Sequence, residues 1–167
     1  MPFTPLHMGP GLTIKAAFQR RFSLMVFGWS QVAIDLQPLL VMLGASGELH
    51  GWSHTLLGAT LIAMLCGATG KHLGEWGLRV VLREPRHLPI AWSVSFASAF
   101  VGTYSHILID SVMHVDVFPL RPFSNDSPLR AIISIDSLHV LCLVTALVGG
   151  LGWYAVDRMR RSSNETR

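Results

Sequence analysis

Charge is what this chain has least of. Of its 167 residues only 14% are Asp, Glu, Lys or Arg, against about a quarter in an ordinary soluble domain. Half of the residues are apolar and the mean hydropathy is positive, so the chain reads as a small integral membrane protein. Cysteine is scarce as well. Cys66 and Cys142 both fall inside apolar runs and form no CxxC pair, which excludes a thiolate metal site and leaves packing as their role. The first twenty residues hold no continuous apolar stretch, because Pro2, Gly9, Pro10 and Gly11 interrupt them; this argues against a removable signal peptide. The net charge of +3 is spread over short clusters rather than a basic stripe, so no nucleic-acid partner is expected. There is no internal repeat.

Four apolar runs are present: Phe22 to about Leu43, His54 to Leu78, Pro89 to Val112, and Ala131 to about Val156. Each matches the ~20 residues that a helix needs to cross a bilayer. The expected fold is an all-α membrane protein with four transmembrane helices and a short N-terminal re-entrant or interfacial helix. Residues 1–157 form one helical membrane domain and 158–167 a polar tail. Gly70, Gly74, Gly149, Gly150 and Gly152 fit close helix packing. Basic residues flank the runs unevenly. Lys15, Arg20 and Arg21, then Arg79, Arg83 and Arg86, then Arg158, Arg160 and Arg161 fall on one side, with only Arg121 and Arg130 on the other. By the positive-inside rule the C-terminus is cytoplasmic and the loops near 44–53 and 114–130 face outward.

The N-terminal segment, 5–18, is too short to span. If it folds back on the first span at Gln19-Arg20-Arg21, His7 and Asp35 lie at similar distances from the turn and meet at one end of a hairpin. Spacing alone leaves a frayed N-terminus equally open.

The chemistry-bearing residues are few and segregated. His106 and Asp110 lie four apart near the end of the third run, on one helix face. An ionisable residue inside an apolar span is costly, and by default a functional-site candidate. Counted from the outward ends, Asp35, His50, His54, His106, Asp110, Asp136 and His139 all fall in the outer half of the membrane, with His114 at its rim, and His7 joins them if the N-terminal hairpin forms. A single outward-opening polar cavity accounts for this pattern. Imidazole with carboxylate suits a divalent metal, with zinc the first expectation, and the surplus of donors allows two metals or one metal with supporting carboxylates. His139 taken alone also fits an interhelical hydrogen-bonding role, and His114 a surface position. The His50/His54 pair lacks the glutamate of an HExxH motif.

Thr4-Pro5-Leu6-His7, the Ser30–Asp35 segment, His50-Gly-Trp-Ser-His54-Thr, Tyr104-Ser-His106-Ile-Leu-Ile-Asp110 and Pro119-Leu-Arg-Pro-Phe-Ser124 occur in that order. Together they resemble the small bacterial inner-membrane proteins described as membrane-bound metal-dependent hydrolases, over roughly residues 2–125. The resemblance implies His7, Asp35, His54, His106 and Asp110 as metal ligands, and it favours the N-terminal hairpin. The paired histidines depart from the family's pattern, being four rather than five apart and without its arginine; His54 carries over more securely than His50.

The expected function is therefore metal-assisted hydrolysis of a lipid or lipid-linked substrate at the inner membrane. His7, His54, His106, Asp110, His50, His139 and His114 are the candidate ligands, and Asp35 or Asp136 the base. Arg121 is placed to meet a phosphate. A metal-ion or proton transporter would use the same residues as a pathway, and would need polar groups continuing past Lys71, His72 and Glu75 to the far side. A non-catalytic adaptor would bind no metal.

Overall fold

The computed structural model describes residues 5–165; Thr4 and the end of the tail, 166–167, lie outside the described residues. No strand occurs among them. The helices are α1 (Met8–Phe18), α2 (Leu24–Ile34), α3 (Leu36–Met42), α4 (Leu56–Trp76), α5 (Trp92–Met113) and α6 (Ile135–Glu165). Three segments are long and apolar enough to cross a membrane: α2 with α3 over Leu24–Met42, α4 with its extension over Leu56–Val81, and Ile135–Arg160 of α6. α5, at 22 residues, falls between them in length but is not among the most apolar segments, and it packs against both α2 and α4. Its inner stripe, Ser95, Ser98, Gly102, Thr103, His106 and Asp110, is buried and meets protein rather than lipid. The architecture is the expected all-α membrane fold, with a short helix preceding the spans.

Inside a bilayer the lipid is as apolar as the core, so helix association rests on close approach and interhelical hydrogen bonds. Gln31 Nε2 donates to Gly102 O at 2.9 Å, Ser95 Oγ to Gly67 O at 2.7 Å, and Ser23 N to Ser98 Oγ at 2.9 Å. A Cβ on Gly102 would lie 1.9 Å from Ser30 Oγ, so only glycine admits α2 this close to α5. Val26, Ala59, Ile62, Cys66 and Ala99 fill the space between α2, α4 and α5.

The first span breaks between α2 and α3 at Asp35. Pro38 explains the break. It has no N–H for the carbonyl of Ile34, and its ring crowds that carbonyl. A seven-residue α3 then completes the crossing.

The chain reverses before the first span where expected, in a turn over Gln19–Arg21 with Gln19 at φ 50°. α1 then lies against α2 and, more extensively, α6. A Cβ on Gly9 would sit 2.1 Å from the Cys142 carbonyl oxygen, and one on Gly149 2.3 Å from Thr13 N. Thr13 Oγ1 donates to Thr145 O at 2.8 Å across the same seam. Gly150 does not share the packing role expected of it, since nothing lies within 4 Å of its added Cβ; it sits one residue, 100° of helix, away from the seam.

The basic clusters share one end of the bundle. Arg20 Nη2 donates to Arg86 O at 2.6 Å, and Arg86 pairs with Glu84 at 2.6 Å and Asp157 at 3.7 Å. A cavity of about 710 Å³ opens there, lined among others by Lys15, Phe22, Leu78, His87, Ile90 and Trp153. α6 begins at Ile135 rather than Ala131 and runs on to Glu165, so the described part of the tail continues the helix.

Candidate metal centre

At the end opposite the arginines, four elements converge. His7 closes the turn before α1, Asp35 marks the α2–α3 break, His54 ends the turn that leads into α4, and His106 and Asp110 come from one face of α5. Thr55 caps α4 by accepting from Gly58 N at 3.0 Å, which fixes His54 just outside the helix. All five residues are buried, none more than 4% exposed.

Their atoms meet on Asp110. Oδ2 lies 3.2 Å from both His54 Nε2 and His106 Nε2, and Oδ1 lies 3.2 Å from His7 Nε2. Asp35 Oδ1 is 3.1 Å from His106 Nε2 and 3.7 Å from His54 Nε2. The imidazole of His7 stacks on that of His106, 4.4 Å between centroids. Asp35, His54, His106 and Asp110 each offer one ligand atom within 4.8 Å of the others.

The hydrogen atoms around His106 can be deduced. Gln31 Nε2 donates to Gly102 O, which fixes the amide so that its Oε1 faces His106 Nδ1 at 2.7 Å. An amide oxygen only accepts, so Nδ1 carries a proton. In the neutral ring, Nε2 then presents a lone pair to two carboxylate oxygens. His106 Nε2, His54 Nε2, both nitrogens of His7 and Asp110 Oδ1 are all buried without a hydrogen-bond partner. Lone pairs facing lone pairs in a buried site repel unless a proton or a metal cation stands between them.

A divalent ion fits this arrangement on two counts. Two carboxylates match its charge. And bonds of ~2.0–2.2 Å in a tetrahedral site place ligand atoms roughly 3.3–3.6 Å apart, close to the 3.1–3.7 Å separations here.

A second group borders the first. His50 is buried and stacks on the half-buried His114 at 4.5 Å, and His50, Asp110 and His114 offer ligand atoms within 4.8 Å of one another. Asp116 Oδ2 holds His50 Nδ1 at 2.8 Å. Burial works to raise the Asp116 carboxyl, but the His50 imidazole beside it outweighs that and holds it below the usual range.

Two expected site residues stand apart. Asp136 is exposed in the first turn of α6 and His139 is half-buried, and neither joins a ligand group among the described residues. The inward stripe of α6 carries Leu138 and Cys142 instead, packed with Leu6 and Ile109. Depth counting placed these residues at the right level but cannot give the direction in which a helix presents them. Arg121 is engaged too: its guanidinium pairs with Glu48, donates to Asn125 Oδ1 at 2.9 Å and stacks on Phe118. Sequence reasoning passed over Gln31 and Asp116, which orient imidazoles. The signal for Gln31 was a polar residue four before Asp35 in an apolar run.

The fold and the centre define a helical membrane protein with a buried His/Asp group able to hold a metal ion. A family model described as YdjM inner membrane protein matches residues 12–165, and the chain belongs to that family. No curated protein and no solved structure matched.

Proposed function

We propose that the chain is a membrane-bound, metal-dependent hydrolase. His54, His106 and Asp110 would hold a divalent metal, zinc first among the candidates. The observation that carries this reading is His106: its Nδ1 is committed to Gln31, and its Nε2 faces both Asp35 and Asp110 without a hydrogen-bond partner. Three protein ligands and one open position are the pattern of catalytic rather than structural zinc. The ion would supply Lewis acidity, making water nucleophilic near neutral pH and polarising the bond to be cut.

The remaining roles belong to side chains. Asp35 sits 3.1 Å from His106 Nε2, beside the open position, and would take the proton from the attacking water. The group nearest the surface is His114 with Asp116, which marks the entrance. Val115 and Phe123 just beyond are strongly exposed, and Leu120 less so. An apolar rim around a polar mouth favours a substrate with a polar head and an apolar body, a lipid or lipid-linked molecule. The positive-inside rule, applied to the arginine end, would put this mouth in the outward leaflet and the C-terminus in the cytoplasm.

Transport fits less well. Lys71 and Glu75, which would extend a pathway, are closed on each other, and Ile90 completes the ring: Lys71 Nζ donates to Ile90 O at 2.6 Å, and Ile90 N donates to Glu75 Oε1 at 2.9 Å. Between the two ends, buried Val26, Ile62 and Ala99 stand beside the hydroxyls of Ser30, Ser95, Ser98 and Thr103, and none of these carries a charge.

The test is turnover. Zinc-loaded protein in detergent is expected to hydrolyse at least one class among phosphoester, ester and amide lipids, and Asp35→Asn to bind metal with turnover reduced at least 100-fold. Full metal occupancy with no turnover on any class would reject catalysis.

A further inference from the structure

We propose that Asp110 bridges two cation positions, and that the second is built by His50 and His114 with Asp116 behind them. This rests on the first position being a metal site, and it names the substrate class, a phosphoester.

The two oxygens of Asp110 face different neighbours. Oδ2 serves His54 and His106, while Oδ1 faces away from them towards His7 and has no hydrogen-bond partner, though the residue is 3% exposed. A carboxylate that used only Oδ2 would leave a buried acceptor empty, a cost of about 1–3 kcal/mol. On the His114 side, His50 and His114 bring imidazole nitrogens within 4.8 Å of an Asp110 oxygen and of each other. Asp116 on His50 Nδ1 at 2.8 Å fixes that ring and leaves its other nitrogen free, the carboxylate–histidine arrangement found behind metal-bound imidazoles. His7, buried with neither ring nitrogen hydrogen-bonded, stands on the same Oδ1 and can complete the set.

Charge selects the substrate. Two divalent cations set against Asp35, Asp110 and Asp116, with neutral imidazoles, leave one net positive charge. That favours an anion over a neutral ester or amide. Two metals about 3.5–4 Å apart clamp the attacking and leaving oxygens of an in-line phosphoryl displacement. In such a step water attacks phosphorus, the P–O bond to the lipid alcohol breaks, and Asp35 takes a proton from the water and passes it to the leaving alkoxide, so that the alcohol departs protonated and the Asp35 carboxylate is restored. No other reactant is needed.

Metal content per chain tests the idea, measured on the full chain in detergent after loading with zinc and removal of free ion. Wild type is expected to hold two ions, His114→Ala and His50→Ala one, and Asp110→Asn none. Asp116→Asn is expected to fold and to hold the second ion 10–100-fold more weakly. A manganese-loaded sample adds a spectroscopic readout, spin coupling between two ions in wild type that is lost in His114→Ala. One ion in wild type and one in His114→Ala would overturn the second position and leave the proposed hydrolase standing. Two ions in both would overturn its placement. No ion in wild type would remove both readings. Faster turnover of a neutral ester lipid than of a phosphoester lipid by the two-ion protein would overturn the substrate class.

Discussion

The two ends of the bundle both bury polar groups and both leave some without a hydrogen-bond partner, His87 Nδ1 and Trp153 Nε1 at the arginine end, but they treat their charged groups in opposite ways. At the arginine end the chain closes on its own charges. Lys15 Nζ donates to Gln19 O at 2.8 Å and Phe22 O at 2.9 Å, and Lys71, Glu75 and Ile90 form a closed ring. At the other end His7, His54, His106 and Asp110 present buried atoms with no hydrogen-bond partner. A polar group kept for structure finds its partner in the chain. One kept for a ligand leaves its partner to be supplied. The contrast separates Lys15, which is equally deep in the fold, from the centre, and burial alone would not.

The most discriminating effect expected from that contrast is a reversal of sign. In metal-free protein, Asp110→Asn removes a repelling charge and is expected to raise the thermal midpoint, whereas Lys71→Met breaks a satisfied charge and should cost about 1.5–3 kcal/mol. Equal destabilisation by both would erase the distinction. Next comes metal linkage. Excess zinc at a thousand times its Kd should stabilise wild type by about 4 kcal/mol, a gain that a chelator reverses and that Asp110→Asn never shows in a melting series. Gln31→Leu is then expected to weaken zinc 10–100-fold, read by competition with a chromophoric chelator, because the proton on His106 Nδ1 loses the acceptor that fixes the ring. Gly149→Ala drives a methyl into the backbone of Thr13 and should cost about 1–3 kcal/mol, with zinc affinity falling less than in Gln31→Leu.

The smallest effect lies at the arginine end. Burial pushes the Lys15 ammonium down to about 8, helped by Arg20. The unfolded chain, with the ordinary value near 10.5, therefore holds more protons between those two pH values, and stability rises with pH across that window. Lys15→Met should flatten the rise in a pH series of unfolding midpoints.

Much of this arrangement was legible in the chain. Periodicity and apolar length gave the spans, and the Gln19–Arg21 reversal placed His7 and Asp35 at one end, where the structure also brings them. The four-residue interval between His106 and Asp110 fixed a shared face. What escaped was direction around the helix axis. Asp136 and His139 sit at the right height on α6, yet Leu138 and Cys142 take the inward face, a choice made by the packing partner α1 rather than by α6 itself. The orienting roles of Gln31 and Asp116 depend on contacts 75 and 66 residues apart, which no local pattern reports. The α2–α3 break, by contrast, follows from Pro38 and could have been read.

The seam between α1 and α6 ties assembly to synthesis. His7 emerges among the early residues, but the groove that seats its helix, Gly149 with Thr145 and Cys142, is made more than 130 residues later. At about 5–20 residues per second, the first helix waits roughly 7 to 27 seconds for its seat. The centre therefore waits for α6, and a chain cut short before α6 would present His54, His106 and Asp110 without the groove that seats the helix following His7. Completion of the site would then report that α6 has been made and inserted.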